Sequence, residues 1–513
     1  MPELKRVGNT GATAPGPCGH DPRPAAAAVP VFGPTGAPIA AFPSAHGAAS
    51  GPSPGAVLPH KCGVFAVWGH PDPVHLTYYG LLALQHRGQE AAGIAVAGGG
   101  AVSVRRGMGL VAEALRTTDL DALADQHPAV AIGHVRYSTT GASTLANAQP
   151  LLLHYRQGSV AVAHNGNLTN ALLLRMACEA QGSIFQTSSD TEVVPHLMAR
   201  SGAATMRQAL LAALQSVEGA YALAVLSADC LWLCRDPHGI RPLVIGYLDR
   251  ALVAASETCA LDAVGAVFAR ELRPGEVLEV DAAGAHTIHL APAPSENLCL
   301  FEYVYLARPD SNLQGHNVHL VRKEMGRRLA RCAPAEADVV VGVPDSGISA
   351  AVGYAEEAGV PYELGLIKNR YVGRTFIQPS QDLREAAVRM KLNAVSSVVS
   401  GKRVVLVDDS VVRGTTARHL VGLVRRAGAA AVHLRVASPA FRHPCYYGID
   451  IPARDAMLAT GRSPAQMAEL VGADSLAFLS EADAVASADP GGGGFCTACF
   501  SGRYPVCPVD AQR

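Results

Sequence analysis

The chain has 513 residues, 49% of them apolar, enough for about three domains of ~150 residues each with a sizeable core. Lys plus Arg number 42 against 43 Asp plus Glu, a net charge of -1 with no basic run, which excludes nucleic acid as the main partner. The 12 cysteines are too dilute and unevenly spaced for a disulfide scaffold, so they point to thiol or metal chemistry in a reducing compartment, the cytoplasm.

Residues 1–61 hold 13 Ala, 12 Pro and 9 Gly, too little material for a core, and read as a disordered leader. Its uncharged stretch Pro24 to Pro59 is broken every few residues by Pro or Gly, so no membrane-spanning helix is expected. Lys5 and Arg6 are followed by no compact apolar segment, which argues against a secretion signal. At Cys62 the composition turns to Cys62-Gly63-Val64-Phe65-Ala66-Val67-Trp68, an apolar run of strand type.

Leu76 to Gln89 has helical spacing, with Leu76, Tyr79, Leu82 and Ala83 on one face. Strands are expected at Ile94 to Ala97, Ala129 to Val135, Val160 to Ala163, Ala220 to Leu226, Leu231 to Cys234 and Ala251 to Ala254. So many short strands suggest an α+β domain of stacked sheets over residues 62–295. From 296 to 513 the pattern changes. Asp338 to Val343 and Arg403 to Val407 are continuous apolar runs alternating with helical segments, as in the buried parallel sheet of an α/β domain. Gly491 to Gly494 reads as a linker to a last cysteine pair.

Chemistry enters at Cys62. Exposed by leader removal, its α-amino group, with a reference pKa of ~7.7–8, can serve as general base for its own thiol. A cysteine in such an apolar run is more often a core residue, so its company decides. His134-Val135-Arg136-Tyr137 ends a strand with an Arg suited to bidentate capture of an α-carboxylate. His164-Asn165-Gly166-Asn167 follows another strand; it is either a turn or an amide side chain beside a glycine N–H, the donors an oxyanion needs. Ser189-Asp190-Thr191-Glu192 either caps a helix or sets Asp190 against a substrate ammonium. With Leu84-Gln85-His86-Arg87-Gly88-Gln89-Glu90, these motifs in this order resemble class II glutamine amidotransferase domains. The resemblance implies a four-layer αββα N-terminal-nucleophile hydrolase. In it Cys62 is the nucleophile, Asn165 and Gly166 form the oxyanion hole, Arg136 and Asp190 grip glutamine, and Arg87 supports the substrate site.

Val404 to Thr416 reads as a buried strand, the acidic pair Asp408-Asp409, then the loop Ser410-Val411-Val412-Arg413-Gly414-Thr415-Thr416 opening a helix. Backbone N–H groups at a helix start hold phosphate, and carboxylates accept ribose hydroxyls or support Mg²⁺. The string resembles the phosphoribosyltransferase signature. Val343-Pro344-Asp345-Ser346-Gly347 resembles that family's pyrophosphate loop, with Ser346 a further Mg²⁺ ligand beside Asp408 and Asp409. Lys368-Asn369-Arg370-Tyr371-Val372-Gly373-Arg374 is too basic for a core; it reads as a solvated loop or as a lid placing Lys368, Arg370 and Arg374 over diphosphate.

Cys496 and Cys499 have metal-ligand spacing, with Cys445 and Cys299 as further members; a thiolate tetrad suits Zn²⁺ or an iron–sulfur cluster. Cys178, Cys230, Cys234, Cys259 and Cys332 read as core or neutral thiols. Joined, the three constellations resemble the bacillus-type glutamine phosphoribosylpyrophosphate amidotransferases from Cys62 to about Tyr504, apart from an unusually long leader. The resemblance implies the first committed step of purine synthesis: glutamine, 5-phosphoribosyl diphosphate and water give 5-phosphoribosylamine, diphosphate and glutamate. It also implies a processed leader, a structural [4Fe–4S] cluster, Mg²⁺, purine nucleotide inhibitors and a homotetramer. A glucosamine-phosphate synthase shares the first domain but not the Asp408-Asp409 string. A phosphoribosyl-diphosphate-binding regulatory protein shares the string but has no use for Cys62, Arg136 and Asp190.

Overall fold

The computed structural model describes residues 62–137, 143–293, 295–369, 392–489 and 494–508. The expected leader, the linker glycines 491–493 and most of the basic segment, including Arg370 and Arg374, lie outside these. Two antiparallel sheets build the first half. One has the order β11-β9-β10-β1-β4-β2-β3, from β1 (Gly63–Trp68), β2 (Ala91–Gly98), β3 (Ala101–Met108), β4 (Val130–Arg136), β9 (Val244–Leu248), β10 (Ala251–Ala255) and β11 (Val267–Glu271). The other has the order β13-β12-β8-β7-β6-β5, from β5 (Leu151–Tyr155), β6 (Gly158–Leu168), β7 (Gly219–Leu226), β8 (Leu231–Arg235), β12 (Glu276–Asp281) and β13 (Gly284–His289).

Side-chain alternation makes the layers. In β1, Phe65 and Val67 join the apolar cluster under the helices, while Val64 and Ala66 join the cluster between the sheets with Ala161, Ala163, Ala222 and Ala224 of the second sheet. The outer face of the second sheet packs on the helices Val193–Arg200 and Met206–Ser216 through Val194, Met198 and Leu210. This is the αββα sandwich that the resemblance implied.

The first helix, α1, spans Pro73–Ala83 and starts from the side chain of Asp72, which accepts from the His75 N–H at 3.3 Å. It is displaced from the expected 76–89, and the expected face is half right: Leu76 and Ala83 pack against the core, but Tyr79 is 55% and Leu82 38% exposed, and Val74, Thr77, Gly80 and Leu81 are buried in their place. The reason is close approach to the sheet. A Cβ on Gly80 would lie 2.3 Å from the Phe65 ring, and one on Gly133 2.5 Å from the Thr77 methyl. Small residues face inward where large ones would not fit.

The second half carries a parallel sheet in the order Val339–Gly342, Arg403–Asp408, Ala431–Val436, Ser475–Phe478. Val339, Val341, Val404 and Leu406 face one cluster and Val340, Val405 and Val407 the other, so both faces are buried and the runs read as continuously apolar. Packing does not stop between the halves, since Ala220 and Ile240 belong to the same cluster as Leu300, Tyr303 and Tyr447. Among the described residues no helix is long and apolar enough to cross a membrane.

Candidate active sites

Cys62 stands immediately before β1, half-buried, with its thiol 3.6 Å from the Tyr137 carbonyl. Burial pushes its pKa up, opposed by the Tyr137 contact and the charges of Arg136 and Arg87, while Asp190 adds to the rise. A thiol held in its neutral form needs a base before it can attack. The same interactions put Cys62 in one electrostatic neighbourhood with three residues singled out in the sequence: Arg87, Arg136 and Asp190.

Arg136 ends β4, buried, with Nη1 3.8 Å from Glu90 Oε2. Asp190 opens a single 3₁₀ turn, Asp190–Glu192, whose N-cap Ser189 accepts from the Thr191 N–H, ahead of the helix Val193–Arg200. Capping and site geometry coincide there, because Asp190 Oδ2 accepts from the Leu168 N–H at 2.9 Å and so holds the end of β6.

Asn165 and Gly166 do not follow a strand, as expected; they lie inside β6, where His164 to Leu168 pair with Gly219 to Leu223 of β7. Cross-strand pairing overrides the turn preference of Asn-Gly. Gly166 has φ +151°, and a Cβ there would lie 2.0 Å from the Ala220 carbonyl oxygen, so only glycine fits. Asn165 is buried, and its Nδ2 has no hydrogen-bond partner among the described residues. A buried amide donor left open is costly and suits a charge that arrives only during reaction.

Sequence reasoning missed the network behind this strand. His134 Nε2 lies 3.0 Å from the His164 carbonyl, His164 Nδ1 3.0 Å from Thr191 Oγ1, and Gln149 accepts from the His164 N–H at 2.7 Å while donating to Thr191 Oγ1 at 3.0 Å. Burial drives the His134 imidazole down to about 3, so it is neutral at physiological pH. The available signal was polar side chains inside apolar strands, which must find partners when buried.

Arg87 differs from its expected place in the substrate site. Its side chain is fully buried: Nε donates to the Cys62 carbonyl at 3.0 Å, Nη1 to Glu257 at 2.6 Å, and both Nη atoms to Glu302 at 2.9 Å. It braces the backbone of Cys62. The second half also reaches the Asn165-Gly166 end of β6. Asn167 Nδ2 donates to the Tyr446 carbonyl at 2.9 Å, Arg241 donates to the Tyr447 carbonyl, and a Cβ on Gly448 would lie 2.8 Å from the Gly166 carbonyl oxygen.

At the carboxyl ends of two neighbouring parallel strands lie the two loops of the second site, where open α/β sheets bind ligands. Gly347 precedes the helix Ile348–Ala358, and a Cβ on it would sit 2.6 Å from the Val407 carbonyl oxygen. Gly414, at φ +79°, turns the chain into the helix Thr415–Arg426, with Thr415 and Thr416 exposed at its start, Arg413 half-buried and Ser410 buried. Asp408 and Asp409 are buried; Asp409 accepts from the Ser346 and Ser410 hydroxyls, and its N–H donates to Asp408 Oδ1 at 2.9 Å. Burial, and then the Asp409 charge, push the Asp408 carboxyl well up; burial pushes Asp409 up too. Two such carboxylates with a serine hydroxyl are hard oxygen donors suited to Mg²⁺. Lys368 pairs with Asp345 at 2.7 Å, so one residue of the expected lid touches the loop expected to hold pyrophosphate.

The cysteines expected to act together come from three segments. Cys299 and Cys496 are register partners in a short parallel pair, Leu298–Cys299 with Phe495–Cys496. The Cys499 carbonyl accepts from the N–H groups of Arg442 at 3.0 Å and His443 at 3.1 Å, and Cys445 Sγ accepts from the Tyr447 N–H at 3.4 Å. All four pack on one apolar cluster. Burial pushes the Cys496 thiol up, with Cys299 and Cys445 adding to it. Thiolates are soft donors, and among the described residues no three His, Cys, Asp or Glu side chains are placed to hold a single metal ion.

Residues 134–263 match the glutamine amidotransferase domain family and residues 315–451 the phosphoribosyl transferase domain family. The amidophosphoribosyltransferase of Bacillus subtilis (strain 168) is 50% identical over 454 residues, covering 88% of this chain and 95% of that protein. That of Mycobacterium bovis is 50% identical over 459 residues, covering 87% and 86%. The solved glutamine phosphoribosylpyrophosphate amidotransferase from B. subtilis complexed with ADP and GMP matches with a TM-score of 0.82 at 49% identity, over 87% of this chain and 98% of that one. With identity sustained across both sites, the chain belongs to the amidophosphoribosyltransferase family.

Proposed function

We propose that this protein makes 5-phosphoribosylamine from glutamine, 5-phosphoribosyl diphosphate and water, the first step of purine synthesis, in the cytoplasm. The observation that carries the reading is the open, buried Nδ2 of Asn165 in a strand held by Asp190, whose charge reaches Cys62. Once the leader is removed, the freed α-amino group of Cys62 takes the thiol proton as sulfur attacks the amide carbon. Asn165 Nδ2 and the Gly166 N–H receive the oxyanion, and Arg136 and Asp190 hold the α-carboxylate and α-ammonium of glutamine. The amine proton passes to the leaving nitrogen, ammonia departs, and water splits the thioester to glutamate.

In the second site ammonia displaces diphosphate from C1 of the ribose. Thr415, Thr416, Gly414 and Ser410 bind the 5-phosphate, with Arg413 beside them, and Asp408 and Asp409 orient the ribose hydroxyls. Asp408, Asp409 and Ser346 would hold Mg²⁺, which would neutralise charge on the diphosphate. Lys368, Arg370 and Arg374 close over it as a lid that shelters ammonia from water. Cys299, Cys445, Cys496 and Cys499 hold a [4Fe–4S] cluster that supplies a cross-link between segments. Purine nucleotides inhibit, and the assembly is a homotetramer. A purely regulatory protein would leave the Cys62 site without a use.

The test is an assay with two nitrogen sources. Cys62→Ala is expected to abolish synthesis from glutamine and keep synthesis from high ammonia, while Asp408→Asn suppresses both. Equal loss of both activities in Cys62→Ala refutes this division of labour.

A further inference from the structure

Glu302 stands outside the glutaminase half, in an otherwise apolar run, and its side chain is fully buried. Its two oxygens take Arg87 bidentately at 2.9 Å, and Oε1 also accepts from Arg241 Nη1 at 3.2 Å. Each arginine ends on a different part of the glutaminase site. Arg87 Nε donates to the carbonyl of Cys62, the nucleophile. Arg241 donates to the Tyr447 carbonyl, in the loop whose Tyr446 and Gly448 press on Asn167 and Gly166 of the oxyanion strand. One carboxylate thus sets the spacing between nucleophile and oxyanion donors.

Glu302 also opens a five-residue π-helical turn, Glu302–Leu306, a rare conformation that recurs at functional sites. Arg322 grips this turn from the second half: Nε donates to the Tyr303 carbonyl at 2.6 Å and Nη2 to the Ala307 carbonyl at 2.8 Å. Arg322 is itself buried and feels the charge of Asp409 in the phosphoribosyl site. Arg322 therefore fixes, from the second half, the turn that presents Glu302 to Arg87.

We infer that Glu302 is a positioning residue for the glutaminase reaction, holding Arg87 and Arg241 in register behind Cys62 and the Asn165 strand. The inference rests on the two-site reaction proposed above. A carboxylate can hold two guanidiniums in register where an amide cannot, because the amide nitrogen repels one of them. Misplacement of a nucleophile by about 1 Å costs about a hundredfold in rate.

The experiment uses the full mature chain carrying Glu302→Gln or Glu302→Asp, each assayed for glutamine hydrolysis and for synthesis from ammonia. Glu302→Gln should lower the glutaminase kcat about tenfold to a hundredfold, with KM for glutamine and ammonia-dependent synthesis within about twofold of wild type. Glu302→Asp, which keeps the charge and guards against a folding failure, should show a smaller kcat loss of the same kind. Unchanged glutaminase kcat in both Glu302 variants, or loss of both activities in step, overturns the positioning role. Wild type that makes no phosphoribosylamine from ammonia overturns the underlying reaction instead.

Discussion

Replacing Asn165 by Ala separates catalysis from stability in a way that few active-site substitutions do. The side chain is 1% exposed, and its Nδ2 donor meets no acceptor among the described residues. A buried unsatisfied amide group costs about 1–3 kcal/mol in the folded protein. Truncation removes that cost and leaves a small cavity worth about 1 kcal/mol or somewhat more. The two nearly cancel, so the thermal midpoint should stay within about 3 °C of wild type. Catalysis loses a donor aimed at charge present only in the tetrahedral state, worth about 3–4 kcal/mol, or about 10²–10³ in kcat. Because that contact forms only in the transition state, KM for glutamine should barely move. The assay is glutamate release by protein shown by N-terminal sequencing to begin at Cys62, beside ammonia-dependent synthesis and calorimetry of the same sample. A glutaminase kcat within threefold of wild type would refute the oxyanion assignment. A midpoint lowered by ten degrees would show that Nδ2 has a structural partner after all.

Four further outcomes follow from other contacts. His134 is held neutral by burial, so the unfolded chain takes up its proton below about pH 6.5 while the folded chain waits until about 3; the stability this supplies is complete above 6.5 and lost as pH falls. His134→Gln should therefore lose about 2 kcal/mol less than wild type between pH 6.5 and 5 in urea titrations, and equal slopes would contradict the buried neutral state. Gly448→Ala puts a Cβ at φ +95° and 2.8 Å from the Gly166 carbonyl oxygen, so it should cut glutaminase at least about tenfold while sparing ammonia-dependent synthesis. Protein purified without air should be brown and contain about four irons per chain; stoichiometric zinc in place of iron would end the cluster assignment. Intact-mass analysis of active protein should place the N-terminus at Cys62, and full activity with the leader attached would remove the α-amino group from the mechanism.

The sequence by itself determined the class of each half, because binary patterning is a local property. Alternation in β1 and two-sided apolar runs such as Val404 to Val407 follow directly from which faces are buried. The motif residues were legible too, since a nucleophile, an acidic pair and a glycine-opened helix each require particular residue types at fixed spacing. The inward face of α1 was not legible. It is chosen by where Gly80 and Thr77 can approach Phe65 and Gly133, a contact between distant segments. Nor was the strand conformation of Asn165-Gly166, which β7 imposes by pairing against a local turn preference. Arg87 could be marked as important but not placed, because its role depends on Glu257 and Glu302, 170 and 215 residues away. Tertiary structure alone decided these matters, since a buried charge is stable only where the fold brings its partners, and no local pattern of residues encodes that meeting.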